Sequence, residues 1–382
     1  MAKTTFAPTP ARIKAIGMGG GGSNAITRMV REEIKGVDFV AMNTDAQALA
    51  LAEAPVRIQL GERLTRGLGA GGDPEVGMKS AEETRQVVHE VVAGADMVFL
   101  TAGMGGGTGT GSIGVVADVA KESGALTIAI VTKPFSFEGA RRRRVAEEAI
   151  VKLAPKVDTL IIINNDRLLE LCDSKTSVDA AFRFADDVLR MGVQAISEVV
   201  TVPGLINLDF ADIRAIMANA GPAWMSLGHG SGQNRAAEAA KNALASPLLD
   251  CSISGAKGVL FNITGGNNLT LFECNEAAEV IAQAVDPDAN IIFGVVFDDR
   301  MKDELQITVI ATGFTTHYGS GAPTEVELRK MLSSVDTTGL DVPAFLRRPG
   351  RMPLPQVGRP GATTSPPPTQ AHPARPSLNF PR

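Results

Sequence analysis

Cysteine is scarce. Cys172, Cys251 and Cys274 stand far apart, and neither a CxxC pair nor an even-numbered framework can be drawn from them. That excludes a disulfide scaffold or a cysteine zinc site and fits three reduced thiols in a cytosol. The four histidines form no HxxxH pair, so a histidine metal centre is not expected. Aromatic residues are only 4% of the chain, and the formal net charge is a modest -5. A body with that balance is not built to coat nucleic acid or an anionic membrane. No apolar run approaches the roughly 20 residues of a membrane span. The opening MAKTTFAPTPARIK also lacks the apolar stretch of a signal peptide. The expectation is a cytoplasmic protein with no direct transmembrane insertion.

What the chain has in quantity is glycine, 40 residues of 382. Glycine at that level fits a backbone that must approach a ligand closely in several places. Buried strands are expected at 12–18, 37–44, 96–104, 126–132 and 157–164, separated by helical patterns. That alternation indicates an α/β domain with a mostly parallel sheet. Val178, Phe182, Ala185, Leu189, Val193, Ile196 and Val200 recur at helical spacing and predict one long amphipathic helix over 178–202, closed by Pro203-Gly204. Helices over 209–220 and 233–245 and strands at GVLFNIT, NIIFGVVF and LQITVIAT follow. The organisation expected is a disordered arm (1–11), a nucleotide domain (12–177), the central helix (178–202), a smaller α+β domain (203–315) and a disordered tail (316–382).

Two loops carry the chemistry. GMGGGGSNA (17–25) spaces Gly17, Gly19 and Gly22 as in GxGxxG, a weak signal when alone. GGGTGTG (105–111) is a second strand-to-helix junction. Two such loops on parallel strands can hold a triphosphate from both sides. Neither contains the lysine of GxxxxGK[ST], so phosphate charge must be met by backbone amides, helix N-termini and a divalent cation, Mg2+. From loop chemistry, Asn43 to Asp45 are expected to reach the phosphates or their metal, and RGLGAGGDPEVG (66–77), with Gly71, is expected to close over the terminal phosphate. Asp209 and Asp212 share a helical face. That spacing serves an N-terminal cap as readily as catalysis.

GGGGSNA, NTDAQAL (43–49), GLGAGGDPEVG, GGGTGTG, VTKPFSFEG (131–139), NDRLL (165–169), NLDFADI (207–213) and GSGQNRAAEAA (230–240) appear in that order. The set resembles the FtsZ family of bacterial tubulin-like cell-division GTPases, from about residue 12 to 315. The resemblance implies a tubulin-like two-domain fold, with a Rossmann-like GTPase domain, a long central helix and a smaller C-terminal domain. Gly20, Gly21, Gly22, Ser23 and Asn24 would lie along the phosphates of GTP or GDP, with Gly107, Thr108 and Gly109 opposite. Glu138 and Arg142 would hold the ribose and phosphate region, and Asn165 and Asp186 would face guanine. Asn207, Asp209 and Asp212 would enter the site of the next subunit in a homopolymer filament and position cation and water there. The filament would form the midcell division ring.

DVPAFLRR, Asp341 to Arg348, is apolar and basic within the tail, and reads as a docking peptide for division-protein or membrane-tether partners. Beyond it stand Arg351, Arg359, Arg375 and Arg382 with no acidic residue. The run Arg141 to Arg144 reads as a solvated helix start rather than a nucleic-acid patch. Two departures border the site: Ser112-Ile113-Gly114 where relatives have Ala-Ala-Pro, and Asn164 where Pro is usual. They leave open a second reading, a nucleotide-binding filament or regulatory relative with slow or no GTPase activity. A Rossmann oxidoreductase would leave GGGTGTG and NLDFAD without a purpose.

Overall fold

The computed structural model describes residues 11–170, 172, 176–201, 209–248, 253 and 255–314. The disordered-arm assignment (apart from residue 11), Pro203-Gly204, Asn207, Cys251 and the tail with Asp341 to Arg348 lie outside them.

The chain opens with β1 (Ile13–Met18), α1 (Gly19–Arg31), β2 (Val37–Asn43), α2 (Ala46–Leu51), β3 (Val56–Gln59), α3 (Glu62–Thr65), α4 (Pro74–Glu83) and α5 (Arg85–Val92). It continues through β4 (Met97–Gly103), α6 (Thr108–Glu122), β5 (Leu126–Lys133), α7 (Ala140–Leu153), β6 (Thr159–Asn164), α8 (Asn165–Leu169) and α9 (Val178–Thr201). The remainder is α10 (Phe210–Met217), β7 (Gly221–Ser231), α11 (Arg235–Leu244), β8 (Gly258–Gly265), α12 (Leu271–Ala282), β9 (Asn290–Phe297) and β10 (Glu304–Thr312).

The strands form one ten-stranded sheet in the order β3-β2-β1-β4-β5-β6-β7-β10-β8-β9. From β3 to β6 every pairing is parallel. Apart from the short edge strand β3, those strands are largely apolar runs because both faces are covered. On β4, Met97 and Phe99 pack on one side with Ile26 and Met29 of α1 and with Leu189 and Val193 of α9. Val98 and Leu100 pack on the other with Val88 of α5, Val116 of α6 and Ile150 of α7. Strand order reverses between β1 and β4, and that switch point is where open α/β sheets leave a crevice at the carboxyl ends of the strands.

Two strands went unread in the sequence, the short edge strand β3 and the strand β7. β7 pairs in parallel with β6 through Gly221, Pro222 and Ala223, then antiparallel with β10 from Trp224 to Ser231, and so joins the two halves of the sheet. Its glycines disguise it, and packing explains them. A Cβ on Gly228 would lie 2.0 Å from the Ala239 carbonyl oxygen, and one on Gly230 would lie 2.0 Å from that of Arg235. α11 rests directly on the strand backbone. The helical pattern between β3 and β4 is broken at Thr84 into α4 and α5, and α4 already begins at Pro74 inside the glycine-rich stretch 66–77. α1 and α6 likewise start at Gly19 and Thr108, within the glycine loops themselves.

α9 spans both halves. Its Ala185, Leu189, Val193 and Ile196 belong to the same buried cluster as Met29 of α1 and as Leu260, Ile292 and Ile310 of the later strands. Val178 and Phe182, expected on the buried face, are 63% and 39% exposed. The first turns of α9 reach the cleft described below.

Gly114 lies inside the unbroken α6, where a Cβ would meet only the Lys156 side chain at 3.7 Å or more. Gly114→Ala is therefore expected to stabilise the protein by about 0.5–1 kcal/mol, read as a raised denaturation midpoint in urea.

Candidate functional site

At the switch point, β1 runs into α1 and β4 runs through 104–107 into α6, with the two helices on opposite faces of the sheet. Their N-termini border a cleft of about 420 Å³. Neither start carries a side-chain cap, and neither has an acidic residue in its first turn. α2, α4, α10 and α12 are capped by Asp45, Asp73, Asp209 and Thr270. α3, α5, α7 and α11 also start without a side-chain cap, so what sets α1 and α6 apart is that both starts line one cleft. The first N–H groups of a helix have no intrahelical acceptor, and an uncapped pair facing one space forms a positive cradle for an anion.

Glycine sets how closely the two loops meet. Gly19 has φ +69°, and a Cβ there would sit 2.8 Å from the Gly109 nitrogen. Gly105, with φ +100°, faces the Arg142 carbonyl in the same way. At Gly20 and Gly106 a Cβ would meet nothing within 4 Å, so these two open onto the cleft.

The rest of the cleft wall has a different chemistry. Glu138 is held by the Phe135 N–H at 2.9 Å and by Arg142 at 2.6 Å, and both Glu138 and Arg142 line the wall. Asn165, at the start of α8, is buried, and its Oδ1 accepts no hydrogen bond among the described residues. Such an orphan acceptor costs about 1–3 kcal/mol unless a ligand supplies a donor. Asn164, the unusual residue before it, accepts the Asp166 N–H at 3.2 Å and caps α8. A proline would have no side-chain oxygen to do so. Asp186 reaches the cleft from α9, with Arg28 behind it at 3.5 Å. Burial pushes the Asp186 carboxyl up to about 6, and Arg28 offsets only part of that effect.

Of the residues singled out in the sequence, Gly20, Gly21, Asn24, Gly107, Thr108, Gly109, Glu138, Arg142, Asn165 and Asp186 line this cleft. Others are placed elsewhere. Gly22 packs on β4, where a Cβ would come 2.4 Å from the Thr101 carbonyl oxygen. Ser23 is buried beneath the loop with its hydroxyl unpartnered. Asn43 is buried and accepts the Asp45 N–H, and Asp45 caps α2. The stretch expected to close over the phosphate instead braces the second loop: Ala70 and Asp73 lie within 3 Å of where a Gly107 Cβ would stand, while Gly71 faces open space. Asp209 and Asp212 do not line their own chain's cleft. Asp209 Oδ1 accepts the Asp212 N–H at 2.9 Å and caps α10. The Asp212 carboxylate is exposed and makes no hydrogen bond among the described residues.

Phe182 was missed as a cleft residue. It lines the wall and stands edge-on to Phe135 at 5.3 Å and to Phe137 at 6.2 Å. Its place on the apolar stripe of α9 made it look like core. The usable signal was its spacing of four from Asp186.

The Tubulin/FtsZ family GTPase domain matches residues 12–173, and the FtsZ family C-terminal domain matches residues 221–315. An empty FtsZ dimer from M. jannaschii is 43% identical, with a TM-score of 0.78 over 80% of this chain and 89% of that one. The chain belongs to the FtsZ family. The tubulin/FtsZ fold extends further: the GTPgS-bound protofilament of CetZ2 from Haloferax volcanii is 18% identical, with a TM-score of 0.67 over 78% of this chain and 92% of that one. The GDP-bound CetZ1 monomer from the same organism is 20% identical, with a TM-score of 0.69 over 80% and 95%. These two share the fold alone. The matched GTPase domain includes α1, α6 and α8, which line the cleft.

The Asp186 shift has a sign that can be checked. Its folded pKa lies above the ordinary 3.8, so its stabilising contribution is complete below pH 4 and is lost as pH rises through about 6. Asp186→Asn is therefore expected to raise the thermal midpoint of the nucleotide-free protein at pH 8 and to leave it nearly unchanged at pH 4.

Proposed function

We propose that this chain binds GTP in the cleft between β1 and β4, assembles head-to-tail with copies of itself, and hydrolyses the nucleotide where the next copy closes over it. The observation that carries this reading is a single cleft lined by two contrasting chemistries. Two uncapped helix N-termini suit a polyphosphate. The Asn165 Oδ1 and the Asp186 carboxylate suit a base with neighbouring donors, which guanine has at N1 and N2 and adenine lacks. Glu138 and Arg142 line the same cleft and are assigned to the sugar.

Hydrolysis of a terminal phosphate needs an oriented water and neutralised charge more than covalent chemistry. Asp212 is suited to such work because its carboxylate is unspent, whereas Asp209 holds the helix start that presents it. Neither lines its own cleft, which favours action on a neighbour's nucleotide, together with Asn207. A fold neighbour, CetZ2, is solved as a protofilament with GTPgS. Among the described residues no group of three or more His, Cys, Asp or Glu side chains is placed to hold a metal, and Asn43 and Asp45 are committed to the start of α2. Mg2+ carried by the triphosphate, with phosphate oxygens and water as its ligands, would supply charge neutralisation. The filament is proposed to form the cytoplasmic midcell ring, with partners or a membrane tether on Asp341 to Arg348. No described helix is long and apolar enough to cross a membrane.

The slow-turnover alternative rests on Ser112 to Gly114, where the Ser112 hydroxyl donates to the Thr108 carbonyl at 2.7 Å in the first turns of α6. Phosphate release measured against protein concentration separates the two. The rate per subunit is expected to be near zero when dilute and to climb above a critical concentration. A flat rate would remove the shared-site mechanism, and a negligible rate at every concentration would favour the alternative.

Asp212→Ala is expected to leave GTP binding and the α10 cap intact and to slow turnover by about 100-fold or more. Equilibrium binding and phosphate release on the same preparation check this, and lost binding would contradict the assignment.

A further inference from the structure

Two hydroxyls meet at the start of α6. Thr44 Oγ1 and Thr108 Oγ1 are 2.6 Å apart. Thr108 opens α6, is partly exposed and lines the cleft. Thr44 follows β2, is completely buried and does not line the cleft. Among the described residues its hydroxyl has no other hydrogen-bond partner.

The direction of this bond follows from counting protons. Each hydroxyl carries one hydrogen and can accept two. With Thr108 as donor, the Thr44 hydrogen would be buried with no acceptor, the costlier arrangement. With Thr44 as donor, the Thr108 hydrogen is left for the cleft, where a ligand oxygen or water can take it. A hydroxyl that accepts one bond is also a better donor in the next.

Thr44 is fixed from the other side as well. Its carbonyl accepts from the Gly69 N–H at 3.3 Å. The third glycine loop is therefore tied to the same residue that orients Thr108.

We infer that Thr44 is a positioning residue for nucleotide binding: its buried hydroxyl donates to Thr108 and so aims the Thr108 O–H at a phosphate oxygen of the ligand. The inference rests on the GTP reading of the cleft. Thr44 touches no ligand atom and acts only through Thr108.

A double-mutant cycle tests this on the full chain, with GTP and GDP binding measured by equilibrium dialysis below the concentration of assembly. Thr44→Val keeps shape and removes the donor, and Thr44→Ser keeps the donor. Thr44→Val is expected to weaken binding by about five- to tenfold, the weight of one neutral hydrogen bond, and Thr44→Ser to recover most of that loss. In a Thr108→Val background, Thr44→Val is expected to add nothing, because no hydroxyl remains to be aimed. Equal losses in both backgrounds would mark Thr44 as merely structural and overturn the inference, as would unchanged binding in Thr44→Val. A wild-type chain that binds neither GTP nor GDP would instead remove the nucleotide reading, and this inference with it. Thermal melts of each variant confirm that the binding measured belongs to folded protein.

Discussion

Two helices begin without caps and face one crevice, and most of the molecule is arranged to keep them there. Each start leaves N–H groups with no side-chain cap among the described residues, a cost that solvent or an anion relieves. The sheet sets the geometry. β1 and β4 lie side by side at the point where strand order reverses, so α1 and α6 leave on opposite faces yet start close together. Glycine then allows the loops to touch: Gly19 against Gly109, and Gly107 against Ala70 and Asp73.

The same economy governs charge. There is no lysine in either loop, and the carboxylates that could repel a phosphate are occupied elsewhere as caps, Asp45 on α2 and Asp73 on α4. Of the two carboxylates that line the cleft, Glu138 is held by Arg142 and Asp186 is backed by Arg28. α9 brings Asp186 into the cleft while its later turns pack on both halves of the sheet. A change at Asp186 is thereby mechanically continuous with the core of the C-terminal half.

Legibility varied with the kind of signal. Strands buried on both faces declared themselves as apolar runs, and the glycine loops declared the cradle. β7 did not, because its glycines answer to α11 packing on the strand backbone, a contact remote in sequence. Phe182 shared helical spacing with true core residues, and periodicity cannot tell a face covered by the sheet from one that overhangs a cleft. The pair Asp209 and Asp212 was ambiguous between cap and catalyst in the sequence; the bond from the Asp212 N–H gives the capping role to Asp209 and leaves the Asp212 carboxylate without a hydrogen bond among the described residues.

By itself, then, the sequence determined the alternation of strand and helix, the two phosphate-type loops, the absence of a P-loop lysine and the family. These are local: each is written in a short run of residue types whose backbone preferences need no distant partner. Tertiary structure decided which glycines line the cleft and which are packing contacts. It also decided that Ser23 and Asn43 lie beneath the cleft surface, and that Thr44 meets Thr108 across 64 positions of chain. Such matters depend on which atoms are brought within 3 Å by the closing of the sheet, and no spacing along the chain encodes that distance.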